Sequence, residues 1–326
     1  MKTTVFPKFM LGLSLLGLTT ACDPQLEELS QDKLSPIQAN EIRMNPEFGF
    51  LEFGSQEIFD ATYDDLVQNK GTFSLIEGFV SQYDAFNSID TDEEYKEIIS
   101  NPEDHPYKSF LELKEDPNTQ ELEAVRVVAS PVMARITNKE GFVRIGNQVQ
   151  KFISGKILKA DNPAKANLSE MSDWKGDYLE GYEIEEINER VLSSNTQEKT
   201  LTAYCSNNYT EGNNTFRVVG KQIRRRRGGN TIYLVRVKHQ RRRFGAWWAN
   251  NDAVLGLDFQ GAYSTNDDPN TVIDATQSFG TEDDVNEFEE PVTTCPGNCT
   301  FIWLLGPNGT HSATQGGNTE ECFTNG

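Results

Sequence analysis

The sequence predicts an α+β protein in which a mixed α/β N-terminal domain precedes a disulfide-stabilised antiparallel β domain. Three observations predict this class. Apolar residues recur at helical spacing between residues 56 and 99. After Thr202 the chain is instead rich in β-branched and aromatic residues and in Asn/Gly turns, a composition typical of antiparallel strands. Every cysteine except Cys22 also lies beyond that point.

The first 22 residues predict an export signal that ends in a lipid-attachment site. Two lysines and a short apolar run, 9–18, precede Ala21 and Cys22. These are the parts of a secretory signal, and the run is too short to span a bilayer. A cysteine directly after a small residue resembles a lipobox, whose cysteine is acylated before cleavage. We therefore expect a lipoprotein signal peptide at 1–21 and a lipid on Cys22, which would anchor the protein to the outer membrane of the cell envelope, with surface exposure left open. An ordinary signal with an incidental cysteine is the alternative.

The elements of the N-terminal half follow from local patterns. Residues 22–42 are polar, contain two prolines and predict a flexible tether. A strand is expected within 48–53, and Ser55 is a suitable N-cap for a helix over 56–68. Further patterns predict two amphipathic helices within 73–99 with a break at 88–91, β-type runs at 125–128 and 133–136, and a hairpin of 142–145 with 149–153. Together they form the acidic α+β domain expected over 43–165.

The C-terminal half is predicted to follow a polar linker, 166–200, that carries a short helix at 184–192. The antiparallel β domain then covers 201–326. Its main feature is a hairpin in which 216–227 and 231–240 pair around a Gly-Gly-Asn turn.

Four cysteines of this domain form an even set: Cys205, Cys295, Cys299 and Cys322. In an exported chain such a set predicts disulfides. Three pairings are open, and we expect Cys295 and Cys299 to bond to Cys205 and Cys322 rather than to each other. A metal site is the competing interpretation, but no paired histidines lie nearby. A Cys-x-x-Cys redox motif is absent.

The formal net charge of −20 is distributed unevenly. Residues 22–120 contain 23 acidic and 6 basic residues, whereas residues 216–243 contain 11 basic residues and no acidic one. Clustered guanidinium groups suit phosphate, sulfate or carboxylate, to which each can donate a bidentate pair of hydrogen bonds. Such a cluster predicts recognition of an anionic polysaccharide, lipopolysaccharide or lipid headgroup. No nucleic acid is expected, because no nucleic-acid motif accompanies the patch.

The candidate contact set combines the cations of the hairpin with one aromatic residue able to stack on a sugar. Its members are Arg224, Arg225, Arg226, Arg227, Arg236, Lys238, Arg241, Arg242, Arg243 and Trp248. A structural interpretation competes with binding: the cations keep an exposed strand soluble and neutralise the acidic half, on which the strands would then dock.

An enzymatic function is the alternative from another class, namely a glycan-active hydrolase or an accessory subunit of a surface uptake system. Adjacent carboxylates are frequent, but 50 acidic residues make such pairs inevitable. The acidic loops 266–270 and 282–284 lack the spacing of a known calcium motif. His105, His239 and His311 are expected at the surface. The sequence therefore predicts no catalytic residue, no metal and no cofactor.

Two segments carry a resemblance to a known group. They are the stretch from Ala134 to Phe152 and the run Arg243-Phe244-Gly245-Ala246-Trp247-Trp248. With the lipobox cysteine and the proline-punctuated acidic middle, they resemble uncharacterised lipoproteins of the Bacteroidetes. The resemblance implies an envelope lipoprotein attached to the membrane through its N-terminal lipid. It implies no activity.

Overall fold

The computed structural model describes residues 38, 41–69, 76–153, 155–162, 166–187, 190–191, 203–227, 229–297 and 299–325. The predicted signal peptide, Cys22 and nearly all of the tether lie outside these residues. The part described is mostly β, with strands in three sheets and a few mostly short helices. This architecture is broadly compatible with the predicted α+β class.

The bounds of the elements are as follows. The helices are α1 (Gln56–Asn69), α2 (Gln82–Asn87), α3 (Asp92–Ser100), α4 (Pro131–Ile136) and α5 (Leu168–Asp173). The first strands are β1 (Ile42–Met44), β2 (Leu51–Phe53), β3 (Leu111–Glu115), β4 (Leu122–Arg126), β5 (Phe142–Ile145), β6 (Gln148–Ile153), β7 (Lys156–Ala160), β8 (Glu183–Glu186) and β9 (Arg190–Val191). The others are β10 (Tyr204–Glu211), β11 (Asn214–Arg227), β12 (Asn230–Arg243), β13 (Ala246–Ala249), β14 (Val254–Thr265), β15 (Ile273–Asp274), β16 (Gln277–Glu282), β17 (Glu287–Pro296), β18 (Phe301–Gln315) and β19 (Asn318–Thr324).

A six-stranded sheet in the order β1-β2-β5-β6-β7-β8 forms the N-terminal layer. Helices α1 and α4 bury Phe59 and Ile136 against one face of this sheet. On another side, Met171 of α5 packs with Phe50 and Trp174. Capping explains where the short helices start, since Ser81 and Thr91 each form a capping box at the starts of α2 and α3.

The largest sheet contains strands from both halves of the chain. Its order is β10-β11-β12-β13-β4-β3, with β17 also paired to β12 and β9 to β11. Apolar residues of β12, such as Val235 and Val237, pack against Leu255 and Leu257 of the third sheet, which has the order β15-β14-β18-β19 with β16 beside β14. The basic hairpin therefore lies inside a β-sandwich with one face on an apolar core.

The long hairpin is where the sequence placed it. Strands β11 and β12 pair antiparallel from Phe216 with Arg241 to Arg227 with Asn230. Helix α1, the α2/α3 pair and the β5/β6 hairpin also match their predictions. Each of these elements has a strong local signal, either helical spacing with a cap or alternation around a tight turn.

Three expectations about the chain between the halves differ from the structure. Residues Met133 to Ile136 form helix α4 rather than a strand, because Ser130 caps it and Pro131 occupies its first turn. The predicted helix at 184–192 begins instead as strand β8, paired with β7. The described part of the predicted linker is packed, with Met171 and Trp174 buried.

The expected division at 165 is also crossed by a sheet. Strand β4, from the N-terminal half, pairs in parallel with β13, from the C-terminal half. Ala124 of β4 is buried in the same apolar cluster as Trp248 of β13, together with Ile98 of α3. Burial of this shared cluster joins residues on both sides of the predicted linker into one packed unit.

The disulfide pairing that we favoured from the sequence is wrong. Cys205 of β10 bonds to Cys322 of β19, and Cys295 bonds to Cys299. Cys205 and Cys322 face each other because strands β10 and β19 lie side by side across the sandwich. No helix within the described ranges is long and apolar enough to cross a membrane.

Candidate functional site

The candidate site lies where the largest sheet forks. Strand β11 occupies one edge of β12. Along the other edge, β17 pairs with Asn230 to Lys238, and β13 pairs with Gln240 to Arg243. Where those two partners diverge, a cavity of about 240 Å³ opens, lined by residues of β4, β11, β12, β13 and β17. The fork therefore combines a gap in the sheet with the basic strands of the hairpin.

One face of the hairpin is a buried ion-pair network centred on Glu289. Its carboxylate accepts hydrogen bonds from both terminal nitrogens of Arg225, at 2.6 and 2.8 Å. It also accepts one from Arg236 Nη2 at 2.5 Å. All three side chains are at least nine-tenths buried. Ser130 Oγ, at the N-cap of α4, donates to the same carboxylate at 3.0 Å, so the network reaches the N-terminal layer.

Two further carboxylates extend this network along β12. Glu287, the first residue of β17, pairs with Lys238 Nζ at 3.3 Å and contacts Arg126 of β4. Glu123 of β4 accepts from Lys238 at 3.3 Å and from Arg217 at 3.2 Å. Glu123 of the N-terminal half thus pairs with cations of the C-terminal hairpin, whereas Glu287 and Glu289 belong to the C-terminal half itself.

Arg217 is the most enclosed cation of the cluster. It is fully buried, its guanidinium lies 4.6 Å from the Trp247 ring, and Asp116 and Glu121 stand 3.8 and 3.7 Å from its Nη1. An arginine suits such a position because its flat, weakly hydrated group can stack and form ion pairs at the same time.

The cations hold the buried carboxylates in their charged form. Burial alone would raise the pKa of Glu287, but Arg126, Lys238 and Arg236 outweigh it and lower that pKa to about 2. Burial would likewise raise the pKa of Glu289 and of Glu123, but the flanking cations outweigh it and lower both pKa values. At neutral pH the network therefore consists of charged partners, which makes each member costly to remove.

The predicted contact residues do not form one cationic face. Arg225, Arg236 and Lys238 belong to the network just described. Arg226 is exposed on the opposite face of β11, and Arg224 donates to the carbonyl of Cys299 at 2.8 Å. Arg241 contacts Asn214, Arg242 pairs with Glu121, and Arg243 pairs with Asp92. Of Arg227 the structure describes the backbone, at the end of β11.

Trp248 is not available as a surface stacking residue. It is buried, its ring centroid lies 4.5 Å from that of Tyr95, and its Nε1 donates to the carbonyl of Arg243. Its neighbour Trp247 is also buried, on the other face of β13 beside Arg217 and Arg242. Both tryptophans are therefore core residues.

All three histidines are buried, so the expectation of surface positions is wrong. Burial lowers the pKa of His239 to about 4 and that of His311 to about 3. His239 shares a 2.6 Å hydrogen bond with the Tyr209 hydroxyl. A neutral ring in such a setting completes the packing of the sandwich, and His105 is buried in a loop before β3.

Several members of the site are absent from the predicted contact set, although Arg217 and Lys221 belong to the basic segment 216–243. The absent members are Arg126, Arg217, Lys221, Glu123, Glu287 and Glu289. A signal for part of them was present: Arg217, Lys221 and Arg225 are in phase on one strand face, and so are Glu287 and Glu289. No sequence signal connects Glu123, about a hundred residues upstream, to that face.

The cavity itself has a strongly cationic lining. Five cationic side chains and a single carboxylate border it: Lys114, Arg126, Lys221, Arg236, Lys238 and Glu287. The remaining lining is mostly small or polar, including Ala124, Gln240 and Asn286. Within the described ranges no three His, Cys, Asp or Glu residues converge as a metal site would require. The chemistry that this lining offers is the binding of an anion.

Comparison with known proteins adds no functional assignment. No family model matches the sequence, and no curated protein matches it. Among solved structures, a DUF4848 family protein from Bacteroides thetaiotaomicron is similar at 10% identity over 87% of this chain and 100% of that chain, with a TM-score of 0.25. A likeness this weak carries no argument about fold or function, so the site is interpreted from its own geometry.

Proposed function

We propose that this protein is a lipid-anchored cell-envelope protein with a non-catalytic binding role, and that the cationic cavity beside its basic hairpin recognises an anionic glycan or lipid headgroup. The observation that carries the proposal is the lining of the fork cavity, with five cations against one carboxylate. Electrostatic complementarity of this kind selects anionic partners and repels cationic ones. The rest of the hairpin charge has a scaffold role, since it joins the two halves of the chain through buried ion pairs.

The envelope location rests on the N-terminal sequence and on its resemblance to Bacteroidetes lipoproteins. The cationic run of the hairpin and the four disulfide-bonded cysteines suit an exported protein that meets anionic envelope polymers. Replacement of Cys22 by serine tests the anchor directly. We expect labelled palmitate to be incorporated into the parent and not into C22S. Labelling of C22S to the parental level would contradict lipid attachment at this residue.

The hydrolase alternative finds less support at this cavity. A glycosidase uses two carboxyl groups about 5–10 Å apart, one of them with a raised pKa so that it can donate a proton. The cavity is lined by one carboxylate, Glu287, and its pKa is lowered to about 2. A carboxylate held in this form by three cations supports ligand binding and not general acid catalysis.

A salt titration tests the binding role. The full chain is titrated with lipopolysaccharide and with matched anionic and neutral glycans. We expect anionic ligands to bind, and their affinity to fall as salt rises, because screening weakens charge pairing. Replacing Lys114 by glutamine should weaken binding roughly two- to fivefold, the usual contribution of a partly exposed charge.

The matched control for this titration is Arg226→Gln. It removes one positive charge from the same molecule but on an exposed position outside the cavity lining. R226Q should bind as the parent does. Two results would contradict the proposal: no binding to any anionic ligand, or binding with the same strength to the neutral glycans at every salt concentration.

A further inference from the structure

In the part of the chain that the structure describes, Lys221 is the cation of the cavity lining that has no carboxylate in contact. It lies on β11 directly opposite Arg236 of β12 and borders the cavity. Among the described residues it makes no ion pair or hydrogen bond, and its Nζ lies 5.6 Å from the centre of the Tyr204 ring. Its ammonium group is therefore available to an anion that enters the cavity.

The other cations of the lining already have carboxylate partners. Arg236 pairs with Glu289, Lys238 with Glu123 and Glu287, and Arg126 with Glu287. Lys114 pairs with Glu112 at 2.5 Å on the partly exposed rim. Each of these four cations therefore has a carboxylate in contact, whereas Glu123 and Asp116 act on Lys221 only from beyond contact distance.

A second residue of the cavity lining has a hydrogen-bond donor that no acceptor within the described ranges satisfies. Arg126 contacts Glu287 through Nη2, yet its buried Nε has no acceptor among the described residues. A buried donor without an acceptor is costly, and the cost is removed when a ligand oxygen supplies the missing partner. Two donors of the same cavity, from β11 and β4, thus lack acceptors that an anionic group would provide.

We infer that Lys221 is the residue that binds the anionic group of the ligand, and that the cavity takes one small anionic group, a carboxylate, phosphate or sulfate carried on a single sugar ring or headgroup. This inference rests on the proposed function and names the ligand class of the same site. Pockets for drug-sized ligands run from about 300 to 1,000 Å³. A cavity of about 240 Å³ is below that range, so it admits the end of a polymer and not its repeating body.

Proton uptake should accompany this binding. Burial lowers the pKa of Lys221, and repulsion from Lys238 and Arg236 adds to the effect, while Glu123 and Asp116 oppose it. The other titratable or charged groups around it are Tyr204 on β10, Lys114 on β3, Arg126 on β4, His239 on β12 and Glu287 on β17. An anion bound to the ammonium group raises its pKa again, so the bound state holds more protons than the free state near that pKa.

The experiment uses the full chain, with glucuronate and glucose 6-phosphate as anionic probes and glucose as the uncharged control ligand. Calorimetry at several pH values between neutral and the ordinary lysine pKa of about 10.4, each in two buffers with different ionisation enthalpies, measures affinity and proton uptake together. We expect both anionic probes to bind with proton uptake, and glucose not to bind. Lys221→Gln should lose affinity about tenfold or more, the usual value of a charge-assisted hydrogen bond. Since Lys221 is in no ion pair, this variant should keep the parental unfolding midpoint.

Lys221→Arg is the discriminating variant. Arginine keeps the positive charge but does not titrate, so K221R should bind within about threefold of the parent without proton uptake. Parental affinity in K221Q, or failure of the parent to bind either probe, overturns the inference. If the parent protein still binds lipopolysaccharide in a salt-dependent way, the proposed function stands without the inference about Lys221. Probe binding that depends on Lys221, with no binding to any envelope ligand, supports the anion site and removes the proposed envelope partner.

Discussion

Replacement of Glu289 by glutamine is expected to lower the free energy of unfolding by about 3–5 kcal/mol, the usual cost of breaking a buried ion pair from one side. Arg225 and Arg236 both depend on this carboxylate and are themselves buried. An amide would remove the negative charge that both buried guanidinium groups contact. Ser130 at the start of α4 would compete with the two arginines for the one acceptor oxygen that the amide keeps. Urea unfolding at pH 7, followed by circular dichroism, measures the loss.

Two comparisons make this prediction specific. Asp258→Asn removes a charge from an exposed position on β14 and should change the free energy of unfolding by no more than about 0.5 kcal/mol.

The pH dependence gives a second test, because Glu287 and Glu289 have folded-state pKa values below those of unfolded glutamate. Their stabilisation is complete above the unfolded pKa, about 4.3, and is lost as the pH falls towards 2. E289Q should flatten this decline; a steep decline equal to that of the parent, or a loss under about 1 kcal/mol at pH 7, would contradict the network described for the fork.

The sequence identified the strands of the site but not the sides to which their side chains point. Pairing of β11 with β12 follows from alternation and a Gly-Gly-Asn turn, all within thirty residues. Burial of Arg225 and exposure of Arg226 depend instead on Glu289, which a partner strand brings from 64 residues away. A run of four arginines has the same composition on both faces, so local pattern alone does not distinguish the buried face from the exposed one.

The parallel pairing of β4 with β13 was similarly inaccessible. It joins Leu122 to Ala246, more than a third of the chain apart in sequence, and neither strand has a pattern that identifies its partner. The predicted linker did contain a sequence signal for a packed helix, but its low overall content of apolar residues made that signal weak. Leu168, Met171 and Trp174 are spaced three residues apart and share one buried side. A polar segment with apolar residues at that spacing packs as a helix face and its cap.

Removal of the Cys205–Cys322 disulfide is expected to destabilise the protein more than removal of the other one. The bond links β10 to β19 and closes a loop with a sequence separation of 117 residues, whereas Cys295 and Cys299 are separated by 4. Loop-closure entropy predicts a loss of about 5 kcal/mol for the long loop and about 2 kcal/mol for the short one. The location adds to the difference, because Cys322 packs in the sandwich core beside β18 and belongs to the last strand of its sheet.

The paired variants Cys205→Ala/Cys322→Ala and Cys295→Ala/Cys299→Ala measure this difference by guanidinium unfolding without reductant. The first pair should unfold at a clearly lower denaturant concentration than the second, since β19 would then be held mainly by its ladder to β18. Mass spectrometry of a non-reduced digest identifies the bonds in the parent. Equal losses in the two variants would contradict the entropic argument, and a peptide joining Cys205 or Cys322 to the Cys295 segment would contradict the pairing. Because the Cys205–Cys322 bond spans the two sheets of the sandwich, its presence also reports that β10 and β19 have met in the folded chain.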